Sequence, residues 1–160
     1  KKITVLWKMV EKAKNVRIKA SDTDLTFLIK GIPAIKSEGR HNMPDGEVYT
    51  APVKNSVNGY ITYNTPSIYH GKEFSGVRLD FVGGKIVDAK CASGSSLELN
   101  KILDTDKGAR YIGEFAFGLN KNISAPIKNI LFDEKIVGSI HFTPGQSYKI
   151  TDNGNLSSVH

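Results

Sequence analysis

The strongest constraint on the fold is punctuation. Between residues 44 and 84 the chain is cut at Pro44-Asp45-Gly46, Asn58-Gly59, Gly71, Gly76 and Gly83-Gly84. The segments left between these turn-forming residues are short and rich in β-branched and aromatic side chains. Glu47 to Ala51, Tyr60 to Asn64, Val77 to Phe81 and Lys85 to Cys91 therefore read as strands, with Val82-Gly83-Gly84-Lys85 as a tight turn between the last two. Upstream, Val16 to Ala20 and Leu25 to Ile29 read as a hairpin. Downstream, Tyr111 to Phe117 alternates as a strand, and short elements follow around Ile130 to Val137, Ser139 to Thr143 and Ser147 to Thr151. Helical spacing occurs twice. Over residues 2 to 14, Val5, Met9 and Ala13 form a stripe with Leu6 and Val10 beside it and lysines opposite. From Ser95, the pair Ser95 and Glu98 forms a capping box that opens a helix reaching Leu103. Strands outnumber helices without a βαβ rhythm, so the expected class is α+β, a mostly antiparallel sheet with a few helices.

A length of 160 residues suits one domain, or a compact pair of subdomains, with enough chain to bury a core. The net charge of +6 raises the question of nucleic acid, but its location answers against it. Residues 1 to 19 carry seven basic side chains against the single acid Glu11, which leaves 15 basic and 15 acidic residues in the remainder. A solvated helix face explains such an excess, so neither a nucleic-acid nor a membrane partner is expected. No apolar run approaches the roughly 20 residues that span a bilayer. The one cysteine, Cys91, has no partner for an internal disulfide and fits a reduced, cytoplasmic compartment as a small buried or half-buried hydrophobe.

Signatures of phosphate loops, His-Glu-x-x-His helices, Cys-x-x-Cys pairs and Gly-x-Ser-x-Gly elbows are absent, which leaves dispersed residues to carry any chemistry. The histidines are His41, His70, His141 and His160. Glu47 opens an apolar strand after a Pro-Asp-Gly turn, and Glu114 is enclosed by Ile112, Phe115 and Phe117. A buried carboxylate needs a counter-charge, which a divalent cation would supply, but strand alternation by itself favours Glu114 turned to water. His141, between Ile140 and Phe142, reads by itself as an ordinary core or surface histidine. Asp104 and Asp106 are explained by a helix-end turn.

The words around these residues, taken in order, resemble the aminopeptidase T / aminopeptidase S family of metallopeptidases. Asn42-Met43-Pro44-Asp45-Gly46-Glu47-Val48-Tyr49-Thr50-Ala51-Pro52 is similar to that family's Asn-x-Pro-x-Gly-Glu-Val-Phe-Thr-x-Pro segment. Asp106-Lys107-Gly108-Ala109-Arg110-Tyr111-Ile112-Gly113-Glu114 resembles its Asp-x-Gly-Ala-Arg-x-x-Gly-Glu word. Phe132-Asp133-Glu134-Lys135 with Gly138 to Tyr148 resembles the segment that carries a ligand His and, seven positions on, a Tyr. Ser157-Ser158-Val159-His160 looks like the start of a closing Ser-x-x-His-x-Asp word, and the chain stops before that Asp.

The resemblance implies that residues 1 to 160 are the C-terminal catalytic region of a larger peptidase whose N-terminal domain is absent. It implies metal ligation by Glu47, Glu114, His141, Tyr148 and His160, with Glu114 and Tyr148 also taking part in catalysis. Two divalent ions would share the site, Zn²⁺ first, with Co²⁺ or Mn²⁺ as substitutes. Activated water would then release the N-terminal amino acid of a peptide substrate, and the full-length protein would be a homodimer. With the closing Asp missing and His160 at a terminus that should fray, the chain is expected to be an impaired peptidase. The competing expectation is a non-catalytic, β-rich binding or dimerisation module of the same family.

Overall fold

The period-two segments pair as the turns between them dictate. In the computed structural model, which describes residues 2–37 and 44–160, helix α1 (Lys2–Lys12) leads into β1 (Asn15–Ala20), β2 (Thr23–Leu28), β3 (Ile35–Ser37), β4 (Glu47–Thr50) and β5 (Asn58–Thr62). Next come β6 (Ser67–Tyr69), β7 (Lys72–Phe74), β8 (Arg78–Val82), β9 (Lys85–Lys90) and α2 (Ser96–Leu103). The chain continues through β10 (Ile112–Gly118), α3 (Ile130–Asp133), β11 (Ile140–Pro144) and a 3-10 turn at Lys149–Thr151. One sheet runs β1-β2-β5-β8-β9, a second runs β11-β10-β4-β3, and β6 with β7 forms a small ribbon. Every ladder among the described strands is antiparallel, in agreement with the α+β class.

Three short strands, β3, β6 and β7, were not expected, because three residues are too few to display a period. The apolar face of α1 also differs from the expected stripe. Val5 and Met9 point to solvent, while Val10 is buried and Ile3, Leu6, Trp7 and Ala13 pack against the core. Two polar anchors set this rotation: the Trp7 indole donates to the Ala34 carbonyl at 2.7 Å, and Glu11 accepts the Ala34 amide at 2.6 Å. A large aromatic with a polar handle outweighs two smaller apolar residues in choosing the buried face. Helix α2 begins as read, with the Ser95 hydroxyl accepting the Glu98 amide.

The two large sheets meet through aromatic rings. Phe27 of β2 lies 5.0 Å from both Phe115 of β10 and Phe142 of β11, and Phe81 of β8 lies 5.9 Å from Phe142. Phe115 and Phe142 are paired across the β10–β11 ladder, so alternation turns Glu114, Ala116 and Gly118 to the opposite face of that sheet. At the end of β10, Gly118 is required. A Cβ there would lie 2.1 Å from the Ile136 carbonyl oxygen, and the turn at residues 136–139 is hydrogen-bonded directly to it.

The C-terminal segment is laced onto the opposite end of this sheet, where β10 begins and β11 ends. Asp106 Oδ2 accepts bonds from the hydroxyls of Ser157 and Ser158 and from the Ser158 amide, while its Oδ1 accepts the Gly108 and Ala109 amides. Asp104 is ion-paired with Arg110, so both aspartates hold structure, as the turn reading of them expected. Gly145, at φ +103°, lets this segment come close, since a Cβ there would lie 2.0 Å from the Val159 carbonyl oxygen. Asn155 is fully buried and donates its amide to the carbonyls of Gly108 at 2.9 Å and Gly145 at 2.6 Å. Replacing it by Ala would strand two buried carbonyls, and Asn155→Ala is expected to cost about 2–3 kcal/mol in urea-denaturation experiments.

Candidate metal centre

One face of the second sheet packs the aromatic core; the other collects the ionisable groups. In the register of β4 and β10, Glu47 stands opposite Gly118 and Tyr49 opposite Ala116, while on the other side His141 also stands opposite Ala116 and Thr143 opposite Glu114. Strand alternation therefore puts Glu47, Tyr49, Glu114 and His141 on one face, around the small side chain of Ala116 and the bare backbone of Gly118. Those two small residues leave the room that the carboxylates and the imidazole fill.

Glu47 and Glu114 are 5% and 3% exposed. His141 Nε2 lies 3.5 Å from Glu47 Oε2 and 3.6 Å from Glu114 Oε1. Donor atoms of Glu47, Glu114 and His141 all fall within 4.8 Å of one another, a spacing that a single cation can bridge. Glu47 Oε2 and both ring nitrogens of His141 are buried without a hydrogen-bond partner among the described residues. Natural proteins rarely leave such atoms unpaired, so the donor set fits a divalent ion with carboxylate and imidazole ligands.

Tyr148 and His160 close the outer side. His160 Nε2 lies 3.1 Å from the Tyr148 hydroxyl and 3.8 Å from Glu114 Oε2, while its Nδ1 sits 2.8 Å from the Gln146 carbonyl oxygen. Terminal fraying was the expectation for His160; its ring contacts the Gln146 carbonyl oxygen and the Tyr148 hydroxyl, and Asp106 laces down the two serines, Ser157 and Ser158, of the same segment. All five sequence candidates thus converge although they span more than a hundred positions. Of the other two histidines, His70 packs on Tyr69 at the exposed β6–β7 turn, away from this cluster, and His41 lies outside the described residues, as do Asn42 and Met43 of the first motif word.

The electrostatics carry the mark of crowding. Burial pushes the Glu47 carboxyl above the usual glutamate value against the lowering pull of Lys135, and Glu134 adds to the rise. Burial lowers the His141 imidazole, but the adjacent Glu114, followed by Glu47 and Glu134, outweighs it and the net shift is upward. The Tyr148 phenol is raised well above its ordinary value, first by burial and then by Glu114, Glu134 and Glu47.

Sequence reasoning missed three neighbours. Lys135 has no solvent exposure and its ammonium sits 3.1 Å from Glu47 Oε1, with Glu134 as its second partner. In sequence it is one more lysine in an Asp-Glu-Lys run, which ordinarily marks a solvated surface. Glu134, partly buried, was hidden in the same run. Tyr49 is signalled by strand alternation, two residues from Glu47, and its ring packs 5.5 Å from that of Tyr148.

Comparison with known proteins assigns the chain to a family. Residues 3–159 match the family model described as thermophilic metalloprotease (M29). Aminopeptidase AmpS of Bacillus subtilis (strain 168) is 32% identical over 151 residues, covering 84% of this chain and 35% of that protein. Aminopeptidase T of Thermus aquaticus is 36% identical over 111 residues, covering 67% of this chain and 26% of that protein. The chain therefore spans about a third or less of these relatives' length. Among solved structures, wild-type AmpT from Thermus thermophilus superposes with a TM-score of 0.72 at 26% identity, over 92% of this chain and 39% of that one. A 2,5-dihydroxypyridine dioxygenase from Pseudomonas putida KT2440 reaches 0.74 at 13% identity, over 94% of this chain and 49% of that one, a likeness of fold alone. With the family model matched from one end of the chain to the other, the chain belongs to the thermophilic metalloprotease (M29) family.

Proposed function

We propose that this protein is the catalytic region of a metal-dependent aminopeptidase, with Glu47, Glu114 and His141 holding a divalent cation and Tyr148 and His160 completing the site. The observation that carries the reading is the set of unpartnered buried donors, Glu47 Oε2 and the His141 nitrogens, beside a second buried carboxylate. The aminopeptidase names of its relatives supply the substrate class, a peptide with a free N-terminus. Zn²⁺ suits the donor set best, with Co²⁺ or Mn²⁺ as substitutes, and Tyr148, His160 and Glu134 offer donors to a second ion beside the first.

A divalent cation bound there supplies Lewis acidity toward the scissile carbonyl and toward water. The protein's own groups do the rest. Glu114 or Glu47 would accept the proton of the attacking water and pass it to the departing amine. Tyr148 stays protonated at neutral pH because burial and nearby carboxylates oppose its ionisation. Its hydroxyl can then donate to the oxyanion that develops on the carbonyl. His160, 3.1 Å from that hydroxyl, orients it. A homodimeric, cytoplasmic whole protein belongs to the same proposal; no helix among the described residues is long and apolar enough to cross a membrane.

The test is hydrolysis of leucine p-nitroanilide by the protein stripped of metal and then reloaded with Zn²⁺ or Co²⁺. Activity should appear only on reloading, and reloading should raise the melting temperature. Glu114→Gln and His141→Ala should each lose at least about 100-fold in kcat/KM and most of the thermal shift, since even residues outside the ligand set contribute 10–100-fold. Hydrolysis that persists in both variants would refute the site. Tyr148→Phe, which removes only the hydroxyl, is expected to lower kcat by roughly 100-fold with KM nearly unchanged; an equal loss carried by KM would assign Tyr148 to ground-state binding instead.

The pH dependence has a definite sign. Both Glu47 and His141 bind protons more tightly folded than unfolded, so each stabilises the metal-free fold below its ordinary value, 4.5 for the carboxyl and 6.5 for the imidazole. That contribution is lost as pH rises through the folded values. Metal-free protein should therefore lose stability as pH rises above about 4.5 and again above about 6.5, metal-loaded protein should not, and metal affinity should fall on acidification because protons compete for the same atoms. Calorimetric unfolding across that range, with and without Zn²⁺, measures the difference.

A further inference from the structure

Lys135 is the one lysine of the described chain whose side chain is fully buried, and it is buried against a ligand of the candidate metal centre. A flexible surface lysine does not arrive there by chance. The Lys135 amide donates to the Phe132 carbonyl at 2.9 Å, and the Lys135 carbonyl accepts the Asn120 amide at 3.0 Å, which fixes its backbone beside the end of β10. The missing side chain of Gly118 lets the next residue, Ile136, press onto that strand. The Lys135 ammonium then reaches Oε1 of Glu47 and the carboxylate of Glu134. Oε2 of Glu47 is left buried and unpartnered, 3.5 Å from His141 Nε2. The two oxygens of one carboxylate thus have different roles: one is taken by a cation of the chain itself, and the other faces the donors of Glu114 and His141.

We propose that Lys135 is an internal counter-cation of the metal centre, which holds Glu47 to a single oxygen toward the site and competes with a bound divalent ion for the charge of Glu47 and Glu134. The inference rests on the reading of Glu47, Glu114 and His141 as a metal site. Three carboxylates against one ammonium leave two negative charges in excess, matching one divalent ion; without the ammonium the excess is three. Lys135 therefore tunes affinity downward and limits coordination, a different role from that of a salt bridge that only stabilises the fold. Removing a remote salt bridge would lower stability in the metal-free and metal-bound protein alike; removing a competitor tightens metal binding.

The experiment is a calorimetric Co²⁺ titration of the metal-free protein, with the visible absorption of the bound Co²⁺ recorded alongside, for the wild type, Glu47→Gln, Lys135→Gln and Lys135→Met. Both Lys135 variants should bind Co²⁺ about tenfold or more tightly than the wild type, the size expected of partly screened charges at short range. Their absorption bands should weaken as Glu47 brings its second oxygen to the ion and the coordination number rises. If a neutral variant folds only with metal present, competition against a chelator reads the same tightening. Affinity equal to or below that of the wild type in both Lys135 variants, while Glu47→Gln weakens binding, overturns the counter-cation role and leaves the metal site standing. A wild type that binds no Co²⁺, or a Glu47→Gln variant that binds it unchanged, overturns both.

Discussion

Two buried carboxylates and an imidazole on one face of a sheet set the terms for the rest of this structure. Placing ionised groups away from water is costly unless something of opposite charge meets them. The other face of the same strands is the aromatic core, so the ionisable groups cannot relax by rotating through the sheet without dismantling the contacts of Phe27, Phe115 and Phe142. Ala116 and Gly118 keep the polar face open, and the turn that follows α3 brings Lys135 to it. The protein meets the excess charge partly with that ammonium, and the unpartnered atoms of Glu47 and His141 mark what it leaves unmet.

The outer wall depends on a second set of constraints. Tyr148 and His160 come from a segment with little regular structure, which helix or strand hydrogen bonding cannot position. Asp106 does so in their place, gathering the amides of Gly108 and Ala109 on one oxygen and the Ser157–Ser158 turn on the other. Asn155 joins the loops at Gly108 and Gly145 from within. A half-buried aspartate and a buried asparagine, neither facing the site, thereby determine where an imidazole and a phenol stand. Function in this fold is carried by side chains whose placement is decided about one layer further out.

Much of this was legible in the sequence, and the parts that were not share a cause. Glycine-bounded, β-branched segments announced β1, β2, β5, β8, β9 and β10 because their period is local. The three-residue strands β3, β6 and β7 exist only as partners of other strands, and no local pattern encodes a partner. Glu47, Glu114, His141, Tyr148 and His160 were found through the motif words around them; from residue chemistry alone, Glu114 read as a solvent-facing residue. Its burial follows from β10 being covered on both faces, a tertiary fact. Lys135 and Glu134 stayed hidden because a charged run in sequence looks the same whether it faces water or a second charged strand. The rotation of α1 was misread for a related reason: hydrophobic spacing ranked Val5 and Met9 with Leu6, whereas the hydrogen bonds of Trp7 and Glu11 to Ala34 chose the face.

The central claim is that Glu47, Glu114 and His141, among whose donors Glu47 Oε2 and the His141 ring nitrogens are unpartnered, are the ligands of a divalent ion. A crystal structure of the Zn²⁺-loaded protein, with anomalous scattering measured on both sides of the zinc absorption edge, tests it most directly. The account predicts an anomalous peak on the polar face of β10, within about 2.0–2.2 Å of Glu47 Oε2, a Glu114 oxygen and a His141 ring nitrogen. Zinc bound elsewhere, with Glu47 Oε2 and His141 as unpartnered as before, would contradict it.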